Sequence, residues 1–249
     1  MLKLKTFLLA IRDSVKAISN YPLLAFISLI SVMGFTTSLR FGLANIDFYF
    51  VKNSIDEWRA EQTVQSKESF VSTVDAISSA RHKHATHPLY WDMTGQVVEW
   101  GVVNGYLTHS QLDNAEKLYL KATTLRPAWP VTWASLAMVK WRKRQLDEQF
   151  STYLDNANRL GTMKPEVHVA YAKIGLALYL ANHPFFNKIR GIVIKRLMSG
   201  LRHPASRQEI LNYIIKYNHM RTVCRWAEIS QEEYVRLNIL RCEISSANL

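Results

Sequence analysis

Apolar positions divide this chain into one unbroken hydrophobic run and a long series of helical stripes. From Ala17 to Leu39 no charged residue occurs. The apolar heart of the run is Tyr21 to Leu39, 19 residues. As a helix these span about 28 Å, close to the thickness of a bilayer's hydrocarbon core. Asn20 and Pro22 suit a helix start. Three Ser and two Thr dilute the run, and lipid tolerates a hydroxyl that bonds back to the preceding turn. Beyond it, Val51, Ile55 and Trp58, then Val64, Val71, Val74 and Ile77, recur at roughly helical spacing among Asp56, Glu57, Arg59, Glu61 and Lys67. Residues 45–80 therefore read as a polar helical connector, either a stalk or the first helix of the domain that follows. Arg81 to His87 (RHKHATH) reads as a basic linker. Further on, helices are predicted over Val167–Ala181, Lys188–Leu201, Arg207–Tyr217, Met220–Ile229 and Gln231–Ile244. Asn-His-Pro at 182–184 and Arg-His-Pro at 202–204 punctuate them.

The middle of the chain carries a repeat. Ala115, Tyr119, Ala122 and Pro127 stand at the spacing A-x3-Y-x2-A-x4-P. That spacing resembles the second helix of a tetratricopeptide repeat, or TPR, in which small residues let two helices approach, an aromatic fills the gap and proline stops the helix. Moving on by 35 residues gives Phe150, Leu154, Ala157 and Thr162. Ahead of this set, Trp133, Leu136 and Ala137 supply the large/large/small pattern of a first helix. Ahead of the first set, Val102, Val103 and Tyr106 fill those roles less well. Two repeats cannot bury their own faces, so the later helices must complete the stack. The expected fold is all-α: a single N-terminal transmembrane helix, then a TPR-like helical-hairpin solenoid or bundle.

Lys3, Lys5, Arg12 and Lys16 precede the apolar run, against Asp13 alone. Positive flanks stay on the cytoplasmic side. The expected layout is a cytoplasmic N-terminus at 1–20, a transmembrane helix at 21–39, a helical connector and linker at 40–87 and a helical domain at 88–249. A cleaved signal peptide is the rival, with Gly42-Leu43-Ala44 as the cleavage site. The long leading region and Arg40, between run and site, favour an uncleaved anchor. No other apolar stretch is long enough to span.

Formal net charge is +11. From residue 81 onward there are 23 Lys/Arg against 13 Asp/Glu, so the domain is basic and suits acidic partners. An external compartment argues against nucleic acid. Cys224 and Cys242 can pair outside the cytoplasm. A turn near residue 230, however, would set Cys224 opposite about residue 235 of an antiparallel helix. Cys242 would then lie about 10 Å too far along, which favours buried free thiols.

Candidate chemistry is sparse. His82, His84 and His87 form a short His-rich tract without neighbouring carboxylate or thiol ligands, and a solvated linker is expected rather than a metal site. No nucleophile elbow, phosphate loop, H-E-x-x-H or C-x-x-C occurs. Asp147 and Glu148 are adjacent, about 100° apart on a helix, and suit a helix start or a surface role better than acid/base work. No enzyme and no cofactor are expected. In a TPR the first helices line the concave side. Counting back from Pro127 puts Trp100, Asn104 and Thr108 there, and the next repeat adds Met138, Trp141 and Arg142 as a partner or glycan groove. Lys140, Lys143 and Arg144, with Arg142, form a basic run. Lys188, Arg190, Lys195, Arg196, Arg202 and Arg207 form a second, in which Lys188, Lys195 and Arg202 share one helical face.

Leu125 to Gly161, LRPAWPVTWASLAMVKWRKRQLDEQFSTYLDNANRLG, followed by KPEVHVAYAKIGLALY, resembles the repeat region of the VpsP family of polysaccharide-biosynthesis proteins. The resemblance is specific over residues 125–180 and looser over the rest of 20–225. It implies a single-pass protein of the bacterial inner membrane with a periplasmic TPR-like domain. It implies an accessory role in exopolysaccharide or capsule biosynthesis or export, with no catalytic residues. The implied partners are a protein of the polymerisation or export machinery, or an acidic polysaccharide. An assembly chaperone or adaptor for another envelope system is the second reading. A polysaccharide-modifying enzyme is the third, and would need buried carboxylates or His in one pocket.

Overall fold

The computed structural model describes residues 21–242, and every regular element among them is helical. The first is α1 (Pro22–Glu61), followed by α2 (Lys67–Lys83), α3 (Pro88–Val103) and α4 (Leu112–Leu125). Then come α5 (Pro130–Arg142), α6 (Glu148–Leu160), α7 (Pro165–Leu180), α8 (Phe185–Arg202), α9 (Pro204–Lys216) and α10 (Met220–Ile229). A 3-10 turn at His109–Gln111 precedes α4, and a π-helical turn at Val235–Ile239 follows α10. Consecutive helices pack as hairpins: α1 with α2, α3 with α4, α5 with α6 and α7 with α8. Each hairpin leans on the next through α2–α3, α4–α5 and α5–α7, and α9 closes against α7 and α8.

The prolines explain this periodicity. Pro22, Pro88, Pro130, Pro165 and Pro204 open α1, α3, α5, α7 and α9. At the first helical position proline loses no hydrogen bond and its fixed φ is already helical. Four of these five helices end alike. After α3, α5, α7 and α9 stand Gly105, Arg144, Asn182 and Asn218, all at positive φ. The next N–H then reaches back five residues: Tyr106 to Gly101 (2.9 Å), Gln145 to Lys140 (2.9 Å), His183 to Leu178 (3.0 Å) and His219 to Ile214 (2.8 Å). This left-handed stop satisfies carbonyls that the helix end would otherwise leave open.

The fourth residue of these helices ties one hairpin to the preceding turn. Trp91 Nε1 donates to the Ala85 carbonyl (2.6 Å), Trp133 Nε1 to Pro127 (2.8 Å) and Arg207 Nε to Leu201 (2.8 Å). In α7 the equivalent residue is His168, and the equivalent carbonyl, Thr162, instead accepts from Arg196 Nη1 at 2.8 Å. Arg196 also donates to Asn158 Oδ1 and to the Asn158 carbonyl, at 2.7 Å each. It is buried and structural, so it drops out of the basic run on α8. His168, also buried, is held neutral by burial and by the Arg196 charge, its pKa pushed down to about 4.

This register corrects the first repeat. Trp91 and Gly95 occupy the places that Trp133 and Ala137 hold in the second. A Cβ on Gly95 would stand 2.7 Å from the Tyr119 ring, so only glycine lets α3 and α4 close over that aromatic. Val102 and Val103 end α3, Val103 is 58 % exposed, and Tyr106 lies beyond the helix. The connection from Asn104 to Gln111 is longer than a TPR turn, and counting back from Pro127 overlooks it. The second repeat packs as expected, with Leu136, Ala137, Phe150, Leu154 and Ala157 in one buried cluster.

α1 is one continuous helix of 40 residues, about 60 Å long. No side chain of α1 before Ala44 is buried, and large apolar groups such as Leu23, Phe26, Leu29 and Met33 stand exposed. Among the described residues it is the one helix long and apolar enough to cross a membrane. Thr36 and Thr37 return their hydroxyls to the Met33 carbonyl, at 3.1 and 2.8 Å. From Ala44 the helix changes role: Ala44, Val51, Ile55 and Trp58 pack with Phe70 and Ile77 of α2 and Tyr90, Met93 and Val97 of α3. The expected connector is thus the first hairpin of the domain.

The supposed linker is docked rather than solvated. Residues 81–83 belong to α2. Arg40 Nη2 donates to the His82 carbonyl at 3.0 Å, Lys83 pairs with Asp47 at 2.6 Å, and His84 stacks on Phe41 at 4.0 Å. Lys3, Lys5, Arg12, Asp13 and Lys16 lie outside the described residues.

The first four of the five helices predicted after residue 165 match α7 to α10, whereas of Gln231–Ile244 only residues 233–239 are helical among the described residues, mostly as the π-helical turn. Gln231 turns left-handed (φ 55), and the chain folds back through the π-helical turn, where Cys242 N–H reaches the Arg236 carbonyl at 3.0 Å. Cys224 and Cys242 form a disulfide, with Cα atoms 5.8 Å apart. The expectation of free thiols is corrected because it assumed a straight α-helical rise where the chain doubles back.

Candidate functional site

The ends of α3 and α5 enclose a surface cavity of about 440 Å³. Trp141, Arg142 and Arg144 line it from α5 and its stop, Val102 and Val103 from α3, and His109 from the 3-10 turn. His109 Nε2 lies 3.3 Å from the Arg142 carbonyl. An aromatic wall with two guanidiniums beside it can hold an acidic or hydroxyl-rich partner group.

Two of the six groove residues, Trp141 and Arg142, are therefore brought together. The other four are not. Trp100 is half-buried against the first core, its ring 6.2 Å from Trp58. Asn104 caps α3: its Oδ1 accepts from Val64 N and Thr63 Oγ1, at 2.9 Å each. Thr108 sits in the loop beside Ser110, at 2.9 Å. Met138 packs half-buried against the second core. The register slip in the first repeat accounts for Trp100, Asn104 and Thr108.

The basic run on α5 is also corrected. Lys140 is buried and bonds Asp147 (2.6 Å), Gln145 and Gln149, which ties α5 to the start of α6. Asp147 caps α6, accepting from Phe150 N at 3.0 Å. Lys143 is claimed by Asp113 and Glu116, at 2.6 and 2.7 Å. Arg144 alone of that trio stays exposed. On α8, Lys188 and Lys195 are exposed, and Arg202 pairs with Glu232 at 2.6 Å. Among the described residues no cluster of three ligating side chains could hold a metal ion.

A buried acidic line escaped sequence reasoning. Asp92 and Glu99 stand two turns apart on α3, both buried. Asp92 accepts from Thr132 Oγ1 (2.5 Å) and Gln96 Nε2 (2.8 Å). Glu99 accepts from Tyr119 OH (2.6 Å) and pairs with Arg142 Nε at 3.4 Å. Spacing of seven on an apolar helix was the available signal. Each carboxylate oxygen has a partner, so the line joins α3 to α4 and α5 and leaves no open acid for a substrate. Through Glu99 it also holds Arg142 at the cavity.

Burial raises the pKa of both carboxyls. A carboxyl whose folded pKa exceeds its unfolded value contributes fully below about pH 4, and that contribution is lost as pH rises through the folded pKa. His168, with its pKa pushed down, titrates with the opposite sign, so the carboxyl contribution is read from the difference between two melts: the Tm of Asp92→Asn relative to the parent is expected to rise with pH above about pH 4 in a thermal-melt series. Parallel profiles would show that Asp92 is not the titrating group.

Comparison with protein-family models found no match to this chain, and no curated protein matches it significantly.

Proposed function

We propose that this chain is a membrane-anchored adaptor, an accessory protein of surface-polysaccharide biosynthesis or export that binds rather than catalyses. The observation that carries the reading is an uncovered apolar helix that runs without a break into a disulfide-closed helical-hairpin stack. Disulfides persist in oxidising compartments. Together with the Lys/Arg flank before residue 17, this supports a single pass through a bacterial inner membrane with the domain in the periplasm. Hairpin stacks serve mainly as binding surfaces, and the cavity at Trp141 and Arg142 offers one. The partner is a protein of the polymerisation or export machinery, or the acidic glycan itself. The polysaccharide assignment is supported by the resemblance of residues 125–180 to the VpsP family.

Two measurements test it. A reporter enzyme active only in the periplasm, fused to the C-terminal end, is expected to be active, and activity of a cytoplasm-only reporter there would reverse the orientation. Deleting the gene is expected to lower surface polysaccharide while nucleotide-sugar precursors persist, because an adaptor acts after their synthesis. Normal polysaccharide in that strain rejects the role. For partner capture, Trp141→Ala with Arg144→Ala is a cleaner variant than one lacking Arg142, which also holds Glu99.

A further inference from the structure

A second cavity, of about 470 Å³, lies between the end of α7, the first half of α8 and one face of α10. That volume is in the range of small-molecule sites. Arg190 enters it from α8, and Arg221 and Arg225 enter it from α10. Among the described residues no carboxylate lines the cavity. Other cations of the domain are matched by carboxylates: Lys143 by Glu116, Lys173 by Glu209 and Arg202 by Glu232. Three exposed guanidiniums lining one cavity without an acid beside them can take an anion from outside, and their planar forks match a carboxylate better than an ammonium does.

The rest of the lining suits a hydroxyl-rich ligand. Asn182 and Asn187 supply amide donors and acceptors, and Thr222 a hydroxyl. Tyr179, 39 % exposed, forms the wall. Its ring is held edge-on by Trp226 (5.1 Å) and Phe186 (5.4 Å), which themselves stack at 5.7 Å. A fixed aromatic face takes the C–H face of a sugar ring while amides and guanidiniums take its oxygens. The disulfide from Cys224 anchors the helix that brings in Arg221 and Arg225.

We infer that this cavity binds the carboxylate-bearing sugar residues of an acidic polysaccharide. The preference for carboxylate stands on the arginines, whereas the choice of a sugar rests also on the function proposed above.

The test is calorimetric titration of the full chain in detergent with a galacturonic-acid tetramer, a neutral glucose tetramer and tetraglutamate. The galacturonate is expected to bind at least tenfold more tightly than either comparator. Arg221→Gln with Arg225→Gln should weaken it at least tenfold, and Tyr179→Ala several-fold, with helix content unchanged by circular dichroism. Lys188→Gln with Lys195→Gln, on the exposed face of α8, should leave binding unchanged. Absent binding, equal binding of tetraglutamate, or equal loss on changing the α8 lysines would overturn the assignment. If galacturonate fails to bind while gene deletion still lowers surface polysaccharide, the cavity assignment falls and the accessory role stands. If binding follows the arginines while polysaccharide is normal in the deletion strain, the accessory role falls and the cavity assignment stands.

Discussion

Ala157→Glu is expected to destabilise the helical stack at its centre. Ala157 is 0 % exposed on α6, within the cluster that includes Phe150, Leu154, Val167 and Tyr171. Tyr171 OH spends its hydrogen bond on the Leu154 carbonyl, at 2.9 Å. Nearby Arg196 has committed its donors to Asn158 and Thr162. A glutamate would enter a closed helix contact with no cation free to meet it. Overpacking and an unpaired buried charge together cost about 3 kcal/mol or more. Against a typical domain stability of about 5–15 kcal/mol, that removes much of the margin. A Tm drop of roughly 6–12 °C is expected for a chain of this size. A variant melting like the parent would show that Ala157 does not face its neighbours in solution.

Trp58→Ala is expected to damage the other core. Trp58 is fully buried where α1, α2 and α3 meet, its ring tilted against Phe70 at 6.4 Å and edge-on to Trp100. Removing a buried indole costs about 3–5 kcal/mol through lost burial and the cavity left behind. The loss should be local, because the second cluster begins beyond α3 and shares only its far face, through Val98 and Val102. Hydrogen exchange should speed up in α2, whereas α7 should keep its protection. Equal acceleration in both helices would mean that the two clusters unfold as one unit.

Several features were legible because they depend on neighbours in sequence. The apolar run needed only its length and lack of charge. Helices α7 to α10 announced themselves through period and punctuation, since Pro and Gly/Asn stops act within one turn. Asp147 was readable as a helix start for the same reason. Tyr119 with Ala122, and Leu154 with Ala157, were readable as packing positions because spacings of three and four put residues on one helix face.

Other features were hidden for reasons that can be named. The left-handed stop of α5 falls on Arg144, a residue that does not mark a helix end in the sequence as glycine or asparagine does. The first repeat slipped because a longer loop, Asn104 to Gln111, separates its helices, and a fixed repeat length cannot reveal an insertion. Lys140, Lys143 and Arg196 read as surface charge, yet each meets a partner supplied by another turn or helix.

The sequence by itself determined that the chain is helical, that its first helix is apolar enough to span a bilayer, and where most later helices begin. These are consequences of local backbone chemistry and of hydrophobic period. Only the tertiary structure decided which cations stay free, which carboxylates are buried and that Cys224 meets Cys242. A charge is neutralised, or a thiol paired, by whatever lies beside it in space. That neighbour depends on how loops of unequal length bring distant turns together, and the order of residues along one helix does not show it.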